Sequence, residues 1–198
     1  MVINIDSDGV VYDWHGFMIP FLTDRLGVEM TRDSFIEWDL AQSLDVSKKD
    51  FYQVFDEAVF ANAFKLAGEV PGAIHAVRSL VNDGHRVRIV TNKILKGSSK
   101  TYRAQVDTLA WYHENIGLDQ LEMVFTGSKH GKSAYPADIV IDDKPDMEWT
   151  QPGAMNLLFD QPWNRAVPDD PGGHIRAVGW AGALTAIRIQ ENSPRRAA

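Results

Sequence analysis

The chain has 198 residues, 44% hydrophobic and 24% charged, the proportions of an ordinary globular protein with one good core and room for a modest insertion. Acidic residues outnumber basic ones by 27 to 20, a net charge of −7, so there is no electrostatic footprint for duplex nucleic acid. The absence of cysteine excludes disulfides, thiolate metal sites and cysteine nucleophiles. No signal-peptide pattern opens the chain and no apolar run reaches bilayer length, so a cytoplasmic protein without a membrane partner is expected.

The first strand is expected at Val2–Asp6, a short apolar run that ends in an acid. About 80 residues then separate it from the next strand end at Thr91, far more than the dozen or so that a simple crossover takes. Helical patterns fill that span at His15–Arg25 (closed by Gly27), Phe35–Leu44 and Lys48–Phe60. Residues 15–68 are therefore expected to form a small helical cap inserted after the first strand. Residues 1–14 and 69–192 would form an α/β core. A Pro71-Gly72 turn returns the chain to that core, where Ala73–Asp83 places Ile74, Val77 and Leu80 on one helical face with Gly84 just beyond its end. A strand at Val87–Thr91 and a helix at Ser98–Asn115 follow. Strands are then expected at Met123–Thr126, Asp138–Asp142, Met155–Asp160 and, more weakly, Ala177–Trp180. Strands alternating with helices predict a Rossmann-like parallel sheet flanked by helices. Ser193–Ala198 reads as a disordered tail.

In such a sheet, ligands bind outside the carboxyl ends of the strands. Asp6 and Asp8 end the first strand, Thr91 and Asn92 the second, and Asp142 and Asp143 a later one, with Lys132 ten residues before Asp142. Taken alone, any one of these acids is more often a turn former or a helix cap. Four together would be costly to bury unless a cation neutralises them, and oxygen-only ligands point to Mg²⁺.

The stretches Asp6-Ser7-Asp8-Gly9-Val10, Val90-Thr91-Asn92, Lys132 and Ile141-Asp142-Asp143-Lys144-Pro145 resemble, in order and spacing, the four motifs of the haloacid dehalogenase (HAD) superfamily of phosphatases. Within it the chain is similar to the 5′(3′)-deoxyribonucleotidases. It shares an aromatic residue eight positions after the first Asp (Trp14), the Pro71-Gly72-Ala73 turn and the run Ile141–Asp146. The segment Phe159–Arg165 looks like bacterial and phage members.

The resemblance implies a phosphatase that forms a phospho-aspartate on Asp6, with Asp8 as acid and base and Thr91, Asn92 and Lys132 on the phosphoryl oxygens. Mg²⁺ would be held by Asp6, the Asp8 carbonyl and Asp143, with Asp142 as ligand or orienter. The implied partner is a small phosphate ester, a nucleoside monophosphate above all. Two positions depart from the eukaryotic enzymes: Asn92 stands for a Ser, and Thr108 falls near a basic, substrate-reaching residue.

Weaker signals keep two readings each. Trp14 either walls the base or sugar or packs the cap onto the core. Phe17, Phe35 and Trp38 are expected to be buried within the cap rather than to stack on a base. Lys129 rivals Lys132, but the spacing prefers Lys132. The six histidines show no metal-ligand spacing and are expected to be structural or exposed. Trp163-Asn164-Arg165 either approaches the rim of the site or forms a packed loop. The functional alternatives are a phosphatase for a sugar phosphate or a nucleic-acid 3′ end, and a non-catalytic phospho-accepting module. A homodimer stays open beside a monomer.

Overall fold

A computed structural model of the chain describes residues 1–127, 129–146, 148–170 and 173–192, and of Lys129 and His130 the backbone only. The expected tail Ser193–Ala198 lies outside the described residues, as does the side chain of Lys129.

Strand β1 (Val2–Ile5) runs through the middle of the protein. The chain then leaves through β2 (Tyr12–Asp13) into α1 (Trp14–Leu26), whose first turn is capped by the Asp13 side chain accepting from the Gly16 N–H. Gly27 closes α1 at a φ of +66°, the left-handed geometry a C′ glycine adopts without strain. Helices α2 (Leu40–Ser43), α3 (Lys48–Phe60) and α4 (Ala63–Leu66) complete the excursion, and β3 (Gly68–Glu69) brings the chain back antiparallel to β2. The two short strands thus make a neck through which the helical segment leaves and rejoins the sheet.

From the neck the chain forms α5 (Ala73–Asn82), β4 (Arg86–Asn92), α6 (Ser98–Asn115), β5 (Glu122–Thr126), α7 (Lys129–Ser133), β6 (Ile139–Asp142), β7 (Met155–Phe159), β8 (Ile175–Ala177) and α8 (Gly179–Asn192). The six long-range strands form one parallel sheet in the order β5-β4-β1-β6-β7-β8. Side chains alternate across it. Ile3, Ile5, Val87, Ile89, Ile139, Ile141, Leu157 and Phe159 share one face and are buried in the main core with Val77, Leu80 and Trp180. On the opposite face Val140 and Leu158 pack against Trp149, while Arg88 donates to the Asn4 side chain at 3.2 Å.

The helical segment is tied to the core mainly through α6. Lys100 reaches both carboxylate oxygens of Asp56 at 2.7 Å, and the Trp111 indole donates to the Ala67 carbonyl at 2.8 Å.

Two expected elements come out differently. The segment Phe35–Leu44 is not one helix: a 3₁₀ turn at Arg32–Ser34 stops at Phe35, and only Leu40–Ser43 is helical. The Ser43 hydroxyl both accepts from the Glu37 N–H and donates to the Glu37 carbonyl, a side-chain bridge that diverts the backbone from a helical ladder. The last strand is Ile175–Ala177, and Trp180 is already in α8. Gly179 turns the chain at a φ of +62°, after which Trp180, Ala183 and Ile187 recur at helical spacing and are buried.

Candidate active site

β1 lies between β4 and β6, and after β5 the chain crosses back to the other side of β1. That reversal of strand order opens a crevice at the carboxyl ends of these strands. Asp6 follows β1 directly, with its N–H on the Ile141 carbonyl at 2.9 Å, and Asp142 and Asp143 end and follow β6. Oxygens of Asp6, Asp142 and Asp143 all lie within 4.8 Å of one another, and all three residues are buried.

Among the described residues, one cation answers this charge inside the cluster. The Lys132 ammonium, carried by α7, lies 2.8 Å from Asp6 Oδ2 and 2.7 Å from Asp142 Oδ2. Asp142 Oδ1 accepts from the Lys144 N–H at 3.0 Å. Asp6 Oδ1 and both oxygens of Asp143 are buried and accept no hydrogen bond among the described residues. Burial, opposed by Lys132 and reinforced by Asp142 and Asp8, pushes the Asp6 carboxyl up to about 6. Burial, then Asp6 and Asp142, holds Asp143 well above the usual carboxylate range. Burial pulls the Lys132 ammonium down, but Asp142 and Asp6 reverse this and keep it above its ordinary value.

The turn after β1 is built around these groups. Gly9 sits at a φ of +75°, and a Cβ there would collide with the Asp143 carboxylate. The Gln161 amide donates to the Gly9 carbonyl, and the Asn164 amide donates to the carbonyls of Asp143 and Phe159, both at 2.8 Å. The Trp163-Asn164 segment is therefore both a packed loop and a brace for the acid-bearing turn.

A second cation lies beside the cluster. Lys93, next after Asn92, is fully buried and ion-paired with Asp8 Oδ2, while Asp8 Oδ1 is buried without a partner. The Lys93 ammonium also lies 4.3 Å from the centre of the Phe64 ring and 5.3 Å from that of Tyr12. Burial lowers its basicity, and Asp8 opposes that.

Asp8 and Asn92 open onto a cavity of about 190 Å³ whose other walls include Trp14, His15, Trp38, Phe64 and Trp163. His15 stacks on Trp163 with ring centres 4.1 Å apart, and Trp14 stacks on Phe64 at 6.4 Å. The indole N–H groups of Trp14 and Trp163 and the Nδ1 of His15 are buried without a partner. A larger depression of about 930 Å³, between α1 and α3, includes none of the predicted site residues.

Residues 1–191 match the model of the family described as 5′ nucleotidase, deoxy (Pyrimidine), cytosolic type C protein. The chain belongs to that family. It is a hydrolase of the phosphatase class with a HAD fold. A provisionally named 5′(3′)-deoxyribonucleotidase of Chlorobaculum tepidum is 23% identical over 197 residues, 95% of this chain and 90% of the relative. One from Bordetella pertussis is 26% identical over 180 residues, 86% of this chain and 89% of the relative. A provisionally named haloacid dehalogenase-like hydrolase from Bacteroides fragilis superposes with a TM-score of 0.60 at 15% identity, over 92% of this chain and 98% of its own. A D,D-heptose 1,7-bisphosphate phosphatase from B. bronchiseptica, complexed with magnesium and phosphate, gives 0.51 at 14% identity over 96% and 98%.

In this nucleotidase-family chain Asp6, Asp142, Asp143 and Lys132 meet in one cluster. Thr91 is buried at the end of β4, and Asn92 beside it is exposed and lines the cavity with Asp8 and Trp14. Trp38, expected to be buried in the cap, is 44% exposed because its ring forms a cavity wall edge-on to Trp163. Phe35 is fully buried as expected, and Phe17 stacks on Phe21 on another side of α1. Thr108 is fully buried and offers nothing to the cavity. Sequence reasoning passed over Lys93, although a Lys directly after a strand-end Thr-Asn is a signal worth weighing. It also left His15, adjacent to Trp14, without a place in the site.

Burial, then Arg32, lowers the His15 imidazole to about 4, so it stays neutral in the fold where an unfolded His would take a proton. Stability from this residue is fully present above about pH 6.5 and is lost as pH falls towards 4, by about 3 kcal/mol in all. Urea unfolding at pH 7.5 and pH 4.5 should therefore show wild type losing more stability than His15→Gln. Equal losses would show that His15 is not held neutral by the fold.

Proposed function

We propose that the protein is a cytoplasmic, Mg²⁺-dependent phosphomonoesterase. Its substrates are nucleoside monophosphates, deoxynucleotides in particular, and it works through a phospho-aspartate on Asp6. The observation that carries the substrate class is the cavity next to Asp8. Its rings, Trp14, Trp38, Phe64 and Trp163 among them, suit the flat faces of a base. A polyhydroxylated sugar would leave more polar groups unanswered there. Residues 15–68 act in this reading as a cap that supplies most of the base-facing wall.

The chemistry follows from the positions of the acids. Asp6 Oδ1, free of any hydrogen bond, attacks phosphorus, and an aspartyl O–P bond forms as the ester P–O bond breaks. Asp8 gives its proton to the departing oxygen. In the second half Asp8 takes a proton from water, whose oxygen bonds to phosphorus as the Asp6 carboxylate leaves. Inorganic phosphate departs, and Asp6 and the protonated Asp8 are restored. Lys132, Thr91 and Asn92 hold the equatorial oxygens, where charge accumulates in a loose transition state.

The acids fit a hard divalent cation. Three buried carboxylates with one ammonium between them leave three oxygens unanswered, and Asp143 contributes two of those. Asp6, Asp143 and the Asp8 carbonyl would hold the ion. Asp142, engaged by Lys132 and the Lys144 N–H, steadies the assembly. When bound, Mg²⁺ supplies charge to the phosphoryl oxygens.

Asp6→Asn should lower Mg²⁺-dependent turnover by more than about 100-fold while the fold persists, because an amide is a poor nucleophile. A variant retaining a tenth of wild-type rate would show that Asp6 is not the nucleophile.

Mg²⁺ should raise the Tm of the wild-type protein in a concentration-dependent way, and Ca²⁺ should support turnover poorly. Asp143→Asn should lose that rise in Tm. A variant stabilised by Mg²⁺ as strongly as wild type would remove Asp143 from the metal site.

Because Trp14 is packed against Phe55 and Phe64, the informative change is Trp14→Phe, paired with Trp38→Ala at the exposed wall. Each should lower kcat/KM for a deoxynucleoside monophosphate by roughly five- to 150-fold, and much less for phenyl phosphate. Equal losses on both substrates, or a preference of the wild type for sugar phosphates, would overturn the nucleotide assignment.

A further inference from the structure

Lys93 is a fully buried cation that neither the phosphoryl group nor the metal requires. Its ammonium occupies one oxygen of Asp8 and the faces of two rings, and leaves the other Asp8 oxygen buried and unpartnered. We propose that Lys93 is a positioning residue for the acid–base step: it holds the Asp8 carboxyl through Oδ2 in the orientation from which the proton passes to the ester oxygen that departs. This rests on the phosphatase reading above.

The geometry accounts for three features of such a step. An ammonium only donates, so Lys93 keeps an accepting oxygen of Asp8 whether the carboxyl is protonated or not, and the contact survives the transfer. The rotamer of Asp8 is fixed although its side chain is one-third exposed, because Lys93 is itself clamped between Phe64 and Tyr12. As Asp8 hands its proton to the leaving oxygen it becomes a carboxylate, and the ammonium beside Oδ2 stabilises that developing charge without moving. Lys93 touches no reacting atom and acts only through Asp8.

A series of ring-substituted phenyl phosphates, alike in shape but graded in leaving-group acidity, tests this role. A poor leaving group needs the proton from Asp8, whereas a nitrophenolate departs largely without it. With Lys93→Met, kcat/KM should fall by about 100-fold for the poorest leaving group. The loss should shrink steadily towards the nitrophenyl ester, so that the dependence on leaving-group acidity becomes steeper than in wild type. Lys93→Gln, which keeps a donor, should lie between the two. Asp8→Asn should show the same steepening, and adding Lys93→Met to it should cost little more.

A loss equal across the series, with a lowered Tm, would show Lys93 to be structural and overturn the proposal. No loss in either Lys93 variant would overturn it too. Failure of the underlying phosphatase reading looks different: wild type itself would turn over none of the esters.

Discussion

Three carboxylates buried within 4.8 Å of one another, with a single ammonium among them in the described residues, are the constraint around which this protein is arranged. Unanswered, each such charge costs several kcal/mol, so the cluster persists only where the scaffold leaves it no alternative. The scaffold here is the end of a parallel sheet whose buried strands fix the backbone on either side. Asp6 is tied to β6 by its own N–H, and Asp143 is held through its carbonyl by the Asn164 amide. Gly9 is the only residue type that lets the turn pass so close to Asp143. The cost falls on side-chain oxygens of Asp6 and Asp143 that, among the described residues, accept no hydrogen bond.

The helical segment solves a different problem. It leaves and returns through the narrow β2–β3 neck, so its inner aromatic surface stands over the strand ends without adding to the sheet. Asp8 and Asn92 come from the core, and Trp14, His15, Trp38 and Phe64 from the segment after the first strand. The acids thus cluster at the strand ends of the core, while most of the cavity's rings come from the other side of the neck and Trp163 is added by the core.

What was legible in the sequence follows from this arrangement. Asp6, Asp142 and Asp143 could be brought together on paper because each is tied to a strand end, and strand order fixes where strand ends meet, while Lys132 was placed by its spacing before Asp142. The parallel sheet was legible for the same reason: its buried runs are short, apolar and terminated by polar residues. Lys93 and His15 were not, because a lone Lys or His carries no pattern, and their meaning lies in what the fold packs on them. Trp38 was misjudged because amphipathic spacing says which residues face a core, not which face an internal cavity. The helix expected over Phe35–Leu44 failed on one side-chain bridge, Ser43 to Glu37, that propensity does not encode. The strand expected at Ala177–Trp180 failed because β-like composition and a buried helical face are indistinguishable over four residues.

Lys93 joins the two halves of the problem. Its ammonium lies between the Asp8 carboxylate and the face of Phe64, and Phe64 stacks on Trp14 at the cavity wall. A charged group with no exposed surface is tolerated there because the carboxylate answers its charge and the ring faces answer part of its lost hydration. The consequence runs in both directions. The aromatic wall cannot shift towards the core without disturbing the cation, and the cation cannot move without releasing Asp8. The Lys93 ammonium and the rings of Phe64 and Trp14 thus form one packed stack between the Asp8 carboxylate and the cavity wall.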